Sequence, residues 1–454
     1  MAVRFVIIGG GPAGNQAATH AARFGAEVTL IESDVLGGAA HLWDCIPSKA
    51  MIATGGVMSL TRRAEGMGLT HLDAYLDFAA VAERIASIQG RLESSIDVLL
   101  GSQGVRVIKG VGRMLDAHTV EARGADDVVT TLEADAVLLC TGSRPRIPKW
   151  CHPDGDRILT TRQAYPPPAL PEHMVVVGSG VTGVEFVHMF NSFGCKVTLI
   201  VSRQQVLPHK DAEAAAVLED DFLARGVQLL KGARAEAIEH EGDGVVVRCD
   251  DGRVVRGSHV LLAIGSIPNS ESLNLAAAGV ETDPSGYVTN NQHCQSNVAH
   301  IYAAGDLSGK LPLSSVASMQ GRKVAEHVMG LHARDHRHLD YDKAASAIFT
   351  EPEIADVGLA ESEAFSIGRK VRVTKVPFAA SAKALIEGDS RGFVKIVSDP
   401  ATGQVLGGTI VGRSAAELIS VLAVAVTAHL KVTDIVESLL VHPALSESLS
   451  DAAE

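Results

Sequence analysis

Two sets of glycines are the residues of this chain whose spacing implies a definite chemistry. Gly9, Gly11 and Gly14 stand in G-x-G-x-x-G spacing after an apolar run, with Pro12 and Ala13 between the last two, and Gly178, Gly180 and Gly183 repeat the pattern. The first glycine permits a tight turn, the second lets a pyrophosphate approach the backbone, and the third lets a helix pack on the strand before it. The helix start then presents oriented N–H groups to phosphate oxygens. Glu32 lies 18 residues after Gly14, where a carboxylate can accept hydrogen bonds from ribose hydroxyls. The pattern is that of two dinucleotide sites.

The second set differs at one informative position. Where Glu32 ends the first motif, the second ends in Val201, followed by Ser202 and Arg203. A carboxylate there would bind the ribose 2′-hydroxyl of NADH and repel the 2′-phosphate of NADPH. Two unit charges 4 Å apart interact by about 1 kcal/mol in water and about 4 kcal/mol at an intermediate dielectric, enough to choose between the two. The missing acid and the added Arg203 predict that NADPH is accepted and preferred, with NADH still admitted.

Strands and helices must position these turns. Arg4 to Ile8 reads as a buried parallel strand, an Ala-rich helix runs to about Phe24, and a second strand spans Glu27 to Ile31. The second motif has the strand Met174 to Val177, a helix, and the strand Lys196 to Val201. Val137 to Cys140 leads into Thr141-Gly142-Ser143-Arg144-Pro145, and Val260 to Gly265 leads into Ser266-Ile267-Pro268-Asn269. These two phrases read as crossings between one domain and another inserted in it. Tyr165-Pro166-Pro167-Pro168 reads as a stiff linker at the entry to the inserted domain. Ile301 to Asp306 is a strand ending in an acid, placed for cofactor hydroxyls, followed by a helical pattern from Ala317 to Val328. From about residue 341 the glycine turns stop. Strands at Phe393 to Val397 and Gln404 to Val411 alternate with helices, as in a separate α+β domain.

Composition narrows the class. With 454 residues, 46% hydrophobic and 20% charged, the chain reads as a multidomain globular α/β protein. A net charge of −13 argues against nucleic acid or an anionic membrane as partner. The most apolar later stretch, Leu418 to Leu430, is too short to span a bilayer and reads as a buried helix. The N-terminal run Phe5 to Ile8 goes straight into glycines without a cleavage-type segment. The six cysteines contain no C-x-x-C pair, a pattern that suits a reducing cytoplasm. His332, His336 and His338 near Asp335 and Asp340 have metal-ligating side chains, but their polar connector reads as a solvated turn, and no metal is expected.

The stretch Gly37-Gly38-Ala39-Ala40-His41-Leu42-Trp43-Asp44-Cys45-Ile46-Pro47-Ser48-Lys49 resembles the redox-active segment of the flavoprotein disulfide reductases, where it reads G-G-x-C-x-x-x-x-C-x-P-x-K. The resemblance extends over both glycine motifs, the Thr141–Pro145 turn, Gly305-Asp306, His442-Pro443 and Glu447. It implies two Rossmann-like doubly wound domains and a C-terminal α+β dimerisation domain. An FAD domain would comprise residues 1–150 and 271–340, an NAD(P) domain 151–270, and an interface domain 341–454 that makes a homodimer. FAD would be held by Gly9, Gly11, Pro12, Ala13, Gly14, Glu32, Lys49, Thr141, Gly142, Gly305 and Asp306. NAD(P)H would be held by Gly178, Gly180, Gly183, Glu185, Ser202, Arg203 and Gly265. Lys49 matches the lysine beside flavin N5, Glu185 its carboxylate partner, and His442 with Glu447 the acid/base pair contributed across the dimer. That pair is equally readable as catalytic or as a remnant at the interface.

The departure is Ala40. Cys45 matches the family's second cysteine, which lies against the flavin, but the first is missing, and a thiol relay needs two sulfurs within bonding distance. This resembles the NAD(P)H:quinone reductase branch, in which electrons leave the flavin directly for a quinone. Cys45 would then shape the flavin environment rather than turn over. Two other readings stay open: transhydrogenation between NADPH and NAD⁺, and a dihydrolipoamide-dehydrogenase-like redox sensor or interaction protein.

Overall fold

Four of the five residues in Arg4–Ile8 are buried, because the apolar run Phe5 to Ile8 has no face to offer water and must lie inside a sheet. In the computed structural model, which describes residues 2–70, 73–331 and 339–454, that strand sits third in a seven-stranded sheet. The order is Ile301–Ala303, Ala136–Leu139, Arg4–Ile8, Glu27–Glu32, Arg106–Met114, Thr119–Gly124, Val129–Glu133. The first five run parallel, and the last two are added antiparallel, each to its neighbour. The three strands between Arg106 and Glu133 carry alternating, half-exposed patterns, and sequence reading passed over them.

The residues divide into two units: Met1–Ser48, Ala80–Arg146 and Gly265–Tyr341 form the first, and Lys49–Ala79, Ile147–Ile264 and Asp342–Glu454 the second. In the first, helix Pro12–Arg23 packs against helix Ser314–Val328 at very close range. Gly321 makes this possible, since a Cβ there would lie 2.0 Å from the carbonyl oxygen of Ala13. Ala17, Ala18 and Ala21 are fully buried in the same core. The two crossing phrases pair with each other: Ser143–Pro145 lies antiparallel to Ser266–Pro268, with Ser266 opposite Pro145. Beside them the Arg146 N–H donates to Gly265 O at 2.9 Å.

The second unit contains a parallel sheet in the order Gln228–Lys231, Lys196–Val201, His173–Val177, His259–Leu262, Ile158–Thr160. A three-stranded antiparallel sheet spans Ala235–Glu241 to Val254–Gly257. Residues from Ser346 onward form a five-stranded antiparallel sheet covered by helix Ala415–Ala428. Two expectations change. The strand Ile158–Thr160 already belongs to the parallel sheet, and Tyr165 stacks on Phe186 at 4.7 Å, so the proline segment is packed rather than a linker. Helix Ala415–Ala428 buries Ile419, Leu422 and Val426 but leaves Val421 39% and Val424 62% exposed; the 3.6-residue period turns those two away from the face that is buried. Among the described residues no helix is long and apolar enough to cross a membrane. His332, His336 and His338 lie outside the described residues.

Gly321→Ala should force the two helices of the first unit apart. The expected loss in chemical denaturation is about 1–3 kcal/mol, outweighing the roughly 0.5–1 kcal/mol that Ala contributes within a helix. Gly56→Ala, in helix Ile46–Arg63 with nothing within 4 Å of the added carbon, should instead be neutral or stabilising. Equal effects of the two substitutions would refute the close-contact argument.

Candidate functional site

The first glycine turn is closed at both ends and open in the middle. Gly9 has φ +117°, and a Cβ on it would lie 2.3 Å from Cys140 O; one on Gly14 would lie 1.9 Å from Gly9 O. Gly11 has nothing within 4 Å. Helix Pro12–Arg23 begins there without a side-chain cap and without an acid in its first turn, which leaves its leading donors to an anion. Pro12 occupies the start, where its missing N–H costs nothing. This geometry fits a pyrophosphate. Glu32, buried at the strand end, accepts from the Gly10 N–H and the Asp34 N–H, each at 2.6 Å. It therefore braces the turn, and each oxygen keeps a lone pair for a ribose hydroxyl.

A second cluster of the same unit surrounds Asp306. Its Oδ2 accepts from Ser143 Oγ at 2.6 Å, and the Gly305 N–H donates to Gln320 Oε1 at 2.7 Å. Thr141 Oγ1 donates to Asn269 O at 2.7 Å, while Asn269 Nδ2 returns a bond to Thr141 O at 2.9 Å. Gly142 turns there with φ +69°. Ser143, Asn269 and Gln320 were not foreseen as site residues. The available signal for Gln320 was a polar residue on the face that Val316, Ala317 and Val324 bury.

The segment from Gly37 lies along the glycine turn: the Gly37 N–H donates to Gly10 O at 2.8 Å, and a Cβ on Gly38 would approach Gly11 Cα to 2.9 Å. Ala40–Asp44 then forms a single π-turn closed by the Cys45 N–H on Ala40 O at 3.1 Å. A turn of that width places residues five apart on one side, and Ala40 and Cys45 line the same pocket of about 360 Å³. Pro12, Asn15, Gln16, His41, Ile96 and Ser314 are also on its wall, and no lining side chain is an Asp, Glu, Lys or Arg. Cys45 Sγ lies 3.3 Å from Ser314 Oγ. None of the six cysteines is in a disulfide. Burial pushes the thiols of Cys151 and Cys294 up to about 11 and that of Cys195 up to about 12, and raises Cys140 as well.

The second unit repeats the glycine geometry. A Cβ on Gly178, φ +110°, would lie 2.3 Å from Ala263 O, one on Gly183 would lie 1.9 Å from Gly178 O, and Gly180 is open. Helix Val181–Ser192 starts there uncapped by a side chain. Val201 is buried at the strand end, whereas Ser202 and Arg203 are exposed beyond it. On the same helix Glu185, buried, accepts from Lys49 Nζ at 2.8 Å through Oε2 and from the Phe349 N–H at 3.0 Å through Oε1. Lys49 Nζ also stands 4.8 Å from the Phe349 ring centre, a partner not anticipated. Gly265, expected with the nicotinamide residues, turns with φ +92° at the start of a segment grouped with the first unit.

His442 and Glu447 come together, Nδ1 to Oε1 at 2.7 Å, with Glu447 Oε2 accepting the Ala444 N–H at 2.9 Å. The Ala444 N–H and then His442 hold the Glu447 carboxyl below the usual range. The carboxylates of Asp211, Glu213 and Glu361 also converge, but the buried Lys395 ammonium sits among them at 2.8, 2.5 and 3.0 Å and pairs with all three.

The chain matches the pyridine nucleotide-disulphide oxidoreductase family over residues 3–321 and the dimerisation domain of the same family over residues 344–453. It is 42% identical to an NAD(P)H dehydrogenase (quinone) of Mycobacterium tuberculosis, over 100% of this chain and 94% of that protein. It is 33% identical to a dihydrolipoyl dehydrogenase of Zymomonas mobilis, over 98% and 96%. The crystal structure of LpdA from Mycobacterium tuberculosis is similar with a TM-score of 0.95 at 41% identity, covering 99% of both chains. Sequence, fold and dinucleotide turns agree: this chain belongs to the pyridine nucleotide-disulphide oxidoreductase family and is a flavoprotein oxidoreductase that works with FAD and a nicotinamide dinucleotide.

Proposed function

We propose that the protein carries electrons from NADPH to a quinone with no active-site disulfide. The observation that carries this reading is Ala40: it faces the same pocket as Cys45 and supplies no sulfur. Bound FAD supplies the two-electron exchange between nicotinamide and acceptor. Gly11 and the uncapped start of Pro12–Arg23 bind its pyrophosphate, Glu32 its ribose, and the Thr141-Gly142 and Gly305-Asp306 turns the rest of the cofactor. Gly180 and the start of Val181–Ser192 bind the nicotinamide dinucleotide. Lys49, held by Glu185, would supply a positive charge to stabilise negative charge on the cofactor. An uncharged pocket suits a neutral acceptor, and the quinone named for the mycobacterial relative is one.

In this reading the domains divide at residues 150, 270 and 340, and two chains pair through the last domain. Val421, Val424, Leu439 and Val441, all exposed on the single chain, supply apolar surface for that pairing. With no thiol intermediate, the His442–Glu447 pair has no dithiol to deprotonate and stands as a positioned base on the interface domain.

Steady-state assays with NADPH against a small quinone, lipoamide and an NAD⁺ analogue test the reading. Quinone turnover should exceed lipoamide turnover by orders of magnitude; the reverse ranking would refute it, and efficient transfer to the NAD⁺ analogue alone would replace it with transhydrogenation. Arg203→Glu should raise the NADPH KM by about tenfold, equivalent to about 1.4 kcal/mol, while leaving NADH nearly unaffected. An unchanged ratio of the two KM values would remove Arg203 from the 2′-phosphate site.

A further inference from the structure

Helix Ser314–Val328 meets both of the turns assigned to FAD, and it does so at two consecutive residues. Gly321 lies against the glycine turn, where a Cβ on it would come within 2.0 Å of Ala13 O. Gln320, one residue earlier and only 1% exposed, is directed to the Gly305-Asp306 turn instead. Its Oε1 accepts the Gly305 N–H at 2.7 Å, and its Nε2 donates to Ser308 Oγ at 3.3 Å and to Tyr341 OH at 2.8 Å. The orientation of the carboxamide is settled, because a backbone N–H can only donate. Ser308 Oγ in turn donates to Gly305 O at 2.7 Å. Gln320 and Ser308 thus take both polar backbone groups of Gly305.

The backbone of this turn is permissive. Gly305 and Gly309, at φ +66° and +65°, bracket Asp306 in left-handed conformations that glycine adopts without enforcing them. Ser143 Oγ holds Oδ2 of Asp306 at 2.6 Å, while the carboxylate's remaining lone pairs can accept from a cofactor hydroxyl. The direction of that carboxylate therefore depends on the bonds that hold Gly305.

Resting on the assignment of both turns to FAD, we infer that Gln320 is a positioning residue for the cofactor: its carboxamide aims the Asp306 carboxylate, and Gly321 beside it seats the same helix on the pyrophosphate turn. The helix thereby sets the spacing between the turn for the ADP half of FAD and the turn for the flavin half. A carboxylate fixed before the ligand arrives need not be ordered on binding, which raises affinity. Every polar side-chain atom of Gln320 has a partner, and its removal leaves the Gly305 N–H without one.

The test measures FAD binding to the apoprotein by flavin fluorescence, with ADP as competitor so that only ADP in the FAD site is counted. Gln320→Met keeps the side-chain length and helix preference but loses both the donors and the amide acceptor. It should raise the FAD Kd about tenfold and leave the ADP inhibition constant within about twofold of wild type. Tyr341→Phe, which removes one anchor of the carboxamide, should raise the FAD Kd about threefold with the same indifference to ADP; it carries the comparison even if Gln320→Met does not fold. Gly321→Ala should weaken ADP and FAD by the same factor. Equal losses for the two ligands in Gln320→Met or Tyr341→Phe would make the amide a general packing residue and overturn the inference. A Gly321→Ala effect confined to FAD would overturn it as well. Asp306→Ala distinguishes the two levels of the reading. FAD affinity unaffected by that variant would remove the turn from the cofactor site; weaker FAD there, with wild-type affinity in Gln320→Met, would overturn the positioning role alone.

Discussion

How near a helix can come to the strand before it decides most of the chemistry of this chain. At Gly14 and again at Gly183 there is no space for even one carbon, since a Cβ would sit 1.9 Å from the carbonyl oxygen five residues earlier. That contact seats each helix directly on its strand and aims its unsatisfied N–H groups past the turn. Between the closed glycines, Gly11 and Gly180 remain open. The same backbone thus excludes protein atoms where packing must be tight and admits a phosphate where a ligand must approach. In the first unit the constraint is doubled, because Gly321 brings a second helix onto Ala13 of the same turn.

The redox segment is organised by a different device. The π-turn Ala40–Asp44 spreads its residues so that positions five apart face one pocket. With Ala40 the turn presents one thiol and a methyl group, and the His41 ring packs against Gly37. In the proposed reading, loss of one sulfur changes the kind of chemistry available at this turn. The remaining cysteines do not replace it, because burial keeps their thiols protonated.

Polar groups in the interior are handled by pairing. Lys395 pairs with three carboxylates, and Arg391 and Arg63 together hold Asp389 and Glu351. Burial would raise the Asp389 carboxyl, but the two guanidinium groups outweigh it and bring it down to about 2. The stability this lends is present above the ordinary carboxylate pKa and is lost only as the pH falls through about 2. Glu185 follows the same rule, with Lys49 on one oxygen and the Phe349 N–H on the other.

What the sequence determined by itself are the features written in short spacings. The two glycine motifs, their flanking strands, the Glu32 and Val201 ends, and the missing sulfur at Ala40 are all local, because a turn's conformation depends on residues a few positions apart. The His442–Glu447 pair is local in the same sense. Features that join distant segments were not legible. Gly321 looks like any helical glycine until Ala13 stands against it, and Gln320 looks like a surface amide until it meets the Gly305 N–H. The pairing of Ser143–Pro145 with Ser266–Pro268, the packing of Tyr165 on Phe186, and Phe349 beside Lys49 are of that kind. So is His41, whose position on the pocket wall follows from Gly37, Gln89 and the helix that carries Ile96. Tertiary structure alone decided these, since burial and hydrogen bonding at each depend on a partner that no nearby residue specifies.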